Sequence, residues 1–168
     1  AYTYEEYRQA IKENQTDKDE QLVCLYTNDR EAQFSYIEAA KAKGYNVLLL
    51  DGQLDAPLVS QLEQKWEKTR FVRVDGDTPE RLIPKKDETV NGADKAANEN
   101  LTSVFNAVLP QVEKAQFHVE TSAMGAASAP VLITQSEYMR RMKETARLQP
   151  GMAFYGEMPD MYLSLIHI

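Results

Sequence analysis

The run Gln21-Leu22-Val23-Cys24-Leu25-Tyr26 decides how the first half of this chain folds. Its apolar residues are consecutive and bounded by polar ones, and the run is too short for a globular helix. That pattern suits a strand buried on both faces. Val47-Leu48-Leu49-Leu50, broken by Asp51-Gly52, is a second such strand, and Arg70-Phe71-Val72-Arg73-Val74 is a third. The intervals between them have helical spacing. Asn28 or Asp29 caps a segment in which Ala32, Tyr36, Ile37 and Ala40 share a face. Lys41 and Lys43 complement the C-terminal dipole of that segment, and Gly44 stands where a left-handed cap is favoured. Asp55-Ala56-Pro57 starts another helix, with Leu58, Val59, Leu62 and Trp66 inward. Upstream, Thr3-Tyr4-Glu5-Glu6 has the form of a capping box, and Tyr4, Tyr7, Ile11 and Ala10 follow on one face. The order α-β-α-β-α-β predicts an α/β fold, a small parallel βαβαβ sheet with flanking helices.

Charge divides the chain. Residues 1–100 carry 20 acidic and 14 basic side chains, whereas residues 101–168 carry 6 and 5. Between these regimes Asp75-Gly76-Asp77-Thr78-Pro79 is turn chemistry, and Pro84-Lys85-Lys86-Asp87-Glu88 has neither helical nor strand period. A structureless stretch of that length inside one compact domain is unusual. The expectation is therefore a first domain at 1–75, a linker at 76–98 and a smaller α+β domain at 99–168. In the last, Leu101, Val104, Phe105, Val108 and Leu109 form a helical stripe. Gln116-Phe117-His118-Val119-Glu120 alternates as a strand, and Val131-Leu132-Ile133-Thr134 is a further strand. Ser136 caps a helix running from Glu137 to about Leu148. That helix has an apolar side of Tyr138, Met139, Met142 and Leu148, and it bears Arg140, Arg141, Lys143 and Arg147. A methionine-bearing stripe is adaptable and suits a binding surface, although ordinary core is the commoner use of such a pattern.

Composition excludes much. The 168 residues have a net charge of -7, 43% hydrophobic side chains and one cysteine. Clustered Lys and Arg for a phosphate backbone are lacking, so nucleic acid is not the expected partner. A lone Cys24 excludes a disulfide scaffold and a thiolate zinc site, and it fits a reducing, cytoplasmic setting. No run approaches the length of a membrane span, and the start has no signal pattern. Position 1 is Ala, not Met, and the chain is expected to be a piece of something longer. There is no GxxxxGK[ST] loop, no GxGxxG and no HExxH; His118 and His167 are the only histidines. Metal ligation is not expected, nor is a catalytic residue set. The strand ends carry Asp29, Asp51 and Asp55. These admit a Mg-dependent phosphoryl-transfer or nucleotide-binding site, but such residues are also ordinary caps and turns. No Lys or Ser/Thr completes a phosphoryl constellation, which favours the caps.

Three stretches carry a family resemblance: Cys24-Leu25-Tyr26-Thr27-Asn28-Asp29-Arg30-Glu31-Ala32, Lys43-Gly44-Tyr45-Asn46-Val47-Leu48-Leu49-Leu50, and Phe71-Val72-Arg73-Val74. Together they resemble the last α/β segment of the middle domain in the ninety-kilodalton heat-shock chaperones, called HtpG in bacteria. Residues 101–159 resemble the start of the C-terminal domain of that family. The resemblance implies an ATP-dependent, homodimeric chaperone that binds unfolded or partly folded client proteins. It implies that Tyr138, Met139, Met142 and Leu148 lie on a partly exposed client-binding helix. Met139 and Met142 stand three residues apart where the family commonly shows four. Trp66 and Phe71 are expected in the core. The resemblance further implies that ATP and Mg belong to the full-length parent, whose nucleotide pocket and catalytic arginine lie upstream of the part matched here. This piece should therefore neither hydrolyse ATP nor dimerise strongly alone. Leu163-Ser164-Leu165-Ile166-His167-Ile168 departs from the family's continuation and is expected to be a truncated or non-native end.

Overall fold

A computed structural model describes residues 3–52, 54–86, 95–110, 115–121, 131–135, 137–148 and 160–166. Two compact units emerge, Ala1–Glu88 and Thr89–Ile168.

The first unit is built around β1 (Leu22–Thr27), every residue of which is buried. It pairs in parallel with β2 (Val47–Leu49) on one side and β3 (Thr69–Arg73) on the other. Successive side chains of a strand point to opposite faces. Val23 and Leu25 accordingly meet Ile37 and Ala40 of α2 (Phe34–Ala42), while Cys24 and Tyr26 meet Ile11 of α1 (Tyr4–Ile11) and Val59 of α3 (Asp55–Lys65). With strand order β2-β1-β3, the chain steps one way through α2 and returns through α3. A constant crossover hand then places those helices on opposite faces. The result is three layers, helix on sheet on helix.

Local chemistry explains most boundaries. The capping box of α1 is complete: Thr3 Oγ1 accepts from the Glu6 amide at 3.4 Å, and Glu6 Oε2 accepts from the Thr3 amide at 2.8 Å. Gly44 ends α2 with φ +76°, its amide donating to the Lys41 carbonyl at 2.8 Å. Two expectations are corrected here. The helix after β1 begins at Phe34, because Asp29 Oδ1 accepts from the Glu31 and Ala32 amides, both at 3.0 Å, and holds a separate turn. Ala32 is therefore exposed, and Gln33 takes the inward position. Ala10 and Leu58 are exposed as well, since a helix lying on a sheet buries only a narrow stripe. Trp66 is half-buried against Tyr4, with ring centroids 3.3 Å apart, and Phe71 is in the core.

The segment read as the start of a linker is part of the first unit. Thr78 precedes a single turn, α4 (Pro79–Leu82), and Leu82 and Ile83 are 4% and 0% exposed within the α2-side core. Polar contacts fasten it on both sides. Arg70 Nη2 donates to the Leu82 carbonyl at 2.7 Å, the Lys18 amide to the Pro84 carbonyl at 2.7 Å, and Lys85 Nζ to the Asn14 carbonyl at 2.7 Å. Leu82 and Ile83 cover apolar surface that α2 alone leaves open, and that outweighs the turn-forming composition around them.

The second unit has a mixed sheet of order β4-β6-β5. Helix α5 (Lys95–Val108) packs on β4 (Ala115–Thr121). β6 (Asp160–Ile166) lies between β4, to which it is parallel, and β5 (Val131–Gln135), to which it is antiparallel. Helix α6 (Glu137–Leu148) follows β5. In the register of β6, Leu163 stands beside His118 and Thr134, and Leu165 beside Glu120 and Leu132. The stripe expected on α5 is only partly inward, because Val104 and Val108 are 59% and 70% exposed.

Candidate functional site

The carboxyl ends of the first sheet hold the aspartates that admitted a magnesium site. The carboxylates of Asp29 and Asp55 are engaged with their own loops. Asp29 caps the turn described above, and Asp55 Oδ2 accepts from the Gly52 amide at 2.8 Å. Asp51 is exposed on the loop beyond β2. Among the described residues no three His, Cys, Asp or Glu side chains converge as metal ligands. The residues present do not fit a magnesium-nucleotide complex, and their capping role is the one the geometry provides.

A different polar group occupies this end, and the sequence reading missed it. Gln33, 5% exposed, donates through Nε2 to Asn28 Oδ1 and to Asp75 Oδ2, both at 3.1 Å. Its Oε1 accepts from Thr27 Oγ1 at 2.6 Å. Asp75 in turn receives Arg73 through Nε at 2.5 Å and Nη2 at 2.7 Å. Paired donors and acceptors of this kind let a guanidinium, a carboxylate and an amide share a largely dry site. The group ties the ends of β1 and β3 to the start of α2. Burial, followed by the Asp75 charge, raises the nearby Tyr36 hydroxyl above its ordinary pKa. The signal that could have found this group is the presence of Gln33 at a helical position otherwise reserved for apolar residues.

Cys24 is fully buried, and desolvation, with a smaller effect of Glu63, pushes its thiol up to about 12. A thiol kept protonated in this way is a packing group, not a nucleophile. Burial raises the Tyr7 hydroxyl in the same cluster, with Cys24 contributing less.

In the second unit, α6 bears the residues expected to meet clients. Met142 is half-buried, and Ala146 is buried at 5% exposure. The side chains of Tyr138, Met139 and Leu148 lie outside the described residues, although their backbone belongs to α6. Arg140 does not stand on a solvated basic face. It is 4% exposed and donates to both carboxylate oxygens of Glu137, through Nε at 3.2 Å to Oε2 and through Nη2 to Oε1. Arg141 Nε reaches the same Oε1 at 2.8 Å. One carboxylate thus organises two guanidinium groups along a single helical turn. His118 on β4 is exposed.

The described residues of this two-unit chain hold no converging catalytic set. They combine a polar network at the end of the first sheet with an amphipathic helix in the second unit. No protein-family model matches the chain. Curated relatives do, and the class they define is the molecular chaperones. The chain is 58% identical over 161 residues to the chaperone protein HtpG of Bacteroides fragilis (strain YCH46), and 58% identical over 161 residues to that of Bacteroides thetaiotaomicron. It is 50% identical over 161 residues to HtpG of Porphyromonas gingivalis (strain ATCC 33277). Each match takes in 96% of this chain and 24% of the relative. The chain belongs to the HtpG family as a fragment, spanning about a quarter of the length of the curated relatives it matches.

Proposed function

We propose that this fragment supplies client-binding surface to an ATP-dependent, homodimeric chaperone of the cytoplasm, and that the stretch between its two units acts as the hinge between middle and C-terminal domains. Tyr138, Met139, Met142 and Leu148 are the contact residues. The observation that carries this reading is the division of labour on α6. Glu137, Arg140 and Arg141 satisfy one another within the first turns, while an unbranched, polarisable side chain, Met142, is left half-covered. Methionine surfaces adapt to clients of varied shape because the side chain has three soft torsions and no fixed polar geometry. ATP and Mg act on the full-length parent, where hydrolysis would change the presentation of this surface. Among the described residues no helix is long and apolar enough to cross a membrane. Hydrogen exchange on the 168-residue chain with reduced, carboxymethylated lactalbumin as client tests the reading. Slowed exchange across residues 137–148 supports it, and exchange there that is identical with and without client removes it.

A further inference from the structure

A groove of about 320 Å³ lies beside α2 and β2 in the first unit and reaches Thr27 at the edge of the polar network. Ile37, Val47 and Leu49 line it together with Phe34, Arg30, Glu38 and Lys41. Phe34 is 62% exposed and Leu49 39%, so apolar surface is open to solvent beside two cations. The backbone of β2 makes this more than a patch. β2 is an edge strand, paired only with β1 among the described strands. The Leu50 amide donates to the Thr27 carbonyl at 2.8 Å, which turns the amides of Leu50 and Leu48 toward β1. Backbone groups alternate sides along a parallel strand, so the N–H and C=O of Val47 and Leu49 face away from the sheet. An edge of this kind is a template for another strand.

Charge selects the occupant. Arg30 is exposed and has no acidic partner among the described residues. Lys41 shares Glu38 at 2.9 Å in a solvent-exposed pair. Glu38, which also lines the groove, offsets Lys41, so Arg30 is the uncompensated charge there and leaves the groove positive by one on a chain of net charge -7. We propose that it captures an extended peptide segment as an added strand beside β2, with one apolar side chain in the groove and acidic side chains two residues either side of it. Main-chain hydrogen bonds to Val47 and Leu49 hold the segment, and the groove and Arg30 select its side chains. Side chains two apart share a face of a strand, so all three selected positions point at the groove. This site is independent of the α6 surface and of the chaperone reading.

The test is fluorescence anisotropy of a labelled, end-capped peptide, Ser-Glu-Ser-Val-Ser-Glu-Ser, on the 168-residue chain at low salt. Its counterpart with Lys in place of both Glu should bind about tenfold more weakly, and Arg30→Glu should weaken the Glu peptide about fivefold, as exposed charge reversals do. A copy N-methylated on the amides that would pair with β2 should lose binding. Amide exchange at Leu49 should slow when the Glu peptide is added. No binding overturns the proposal, as do equal affinities for the Glu and Lys peptides, retained binding by the methylated copy, or unchanged exchange at Leu49. Met142→Lys on α6 leaves the measurement unaltered if the two surfaces are separate, and a parallel loss would assign the peptide to α6 instead.

Discussion

Replacing Ile83 by Ala asks whether the segment after β3 belongs to the first unit's core. Ile83 is 0% exposed and packs in the cluster with Val23, Leu25, Ile37 and Val74. Its truncation removes the greater part of the side chain. At roughly 0.8 kcal/mol per buried methylene-sized group, the transfer loss is about 2.4 kcal/mol. Incomplete collapse of the cavity adds to this, and buried Ile→Ala changes fall at about 2–5 kcal/mol overall. A value of about 3–4 kcal/mol is expected. Fluorescence of Trp66 during urea unfolding is the assay, because it is the single tryptophan and it stacks on Tyr4 within the first unit. With a denaturant slope of about 1–3 kcal/mol per molar, the midpoint should fall by about 1–4 M while the slope is unchanged. Leu54→Ala, at a site 76% exposed, serves as the control and should stay within about 0.5 kcal/mol of the parent. A loss below about 0.5 kcal/mol for Ile83→Ala would refute the reasoning and return the segment to the status of a linker.

Two further changes address buried polar groups. Gln15 is fully buried, its Nε2 donating to the Val23 carbonyl at 2.8 Å and its Oε1 accepting from the Asn46 amide at 2.6 Å. Gln15→Leu should cost about 1–3 kcal/mol in the same urea assay, because the Val23 carbonyl is left without that donor in the core. A neutral result would contradict the pairing. Cys24 gives a pH dependence. Its folded thiol titrates at about 12, above an unfolded value of about 8.5. The stability contributed by the protonated thiol is therefore complete below the unfolded value and is lost as pH rises toward the folded one. Between pH 8 and pH 10 the parent should lose about 1–2 kcal/mol more than Cys24→Val, and parallel pH profiles would show that the thiol is not buried.

The first sheet was legible because its strands announce themselves as apolar runs and its helices by caps: Thr3 with Glu6, and Gly44 after α2. Composition hid α4, whose Leu82 and Ile83 sit among Pro, Lys and Asp. A single turn has too few residues to display a period, and only the surface it covers reveals its role. The Gln33 network was hidden for a related reason. The sequence shows Asn28 and Asp75 as turn residues, and their shared partner Gln33 becomes visible only when β1 and β3 lie side by side. β6 was not read as a strand, because Leu163–Ile166 was weighed only against the family's continuation and not for its own run of apolar residues. On α6 the extent of the helix was readable from its period, whereas the burial of Arg140 was not; the Ser136 cap lies outside the described residues. A basic residue reads as solvated until Glu137 is seen to complete its hydrogen bonds.

The account's central claim is that α6 meets client proteins, and site-specific photocrosslinking tests it most directly. A benzophenone side chain is placed in turn at positions 139 and 142 of the 168-residue chain, with the exposed position 12 on the first unit as control. The chain is then irradiated with reduced, carboxymethylated lactalbumin. The account predicts adducts from 139 and 142 that exceed the control and are competed by excess unlabelled client. Adducts no more abundant than those from position 12 would contradict it.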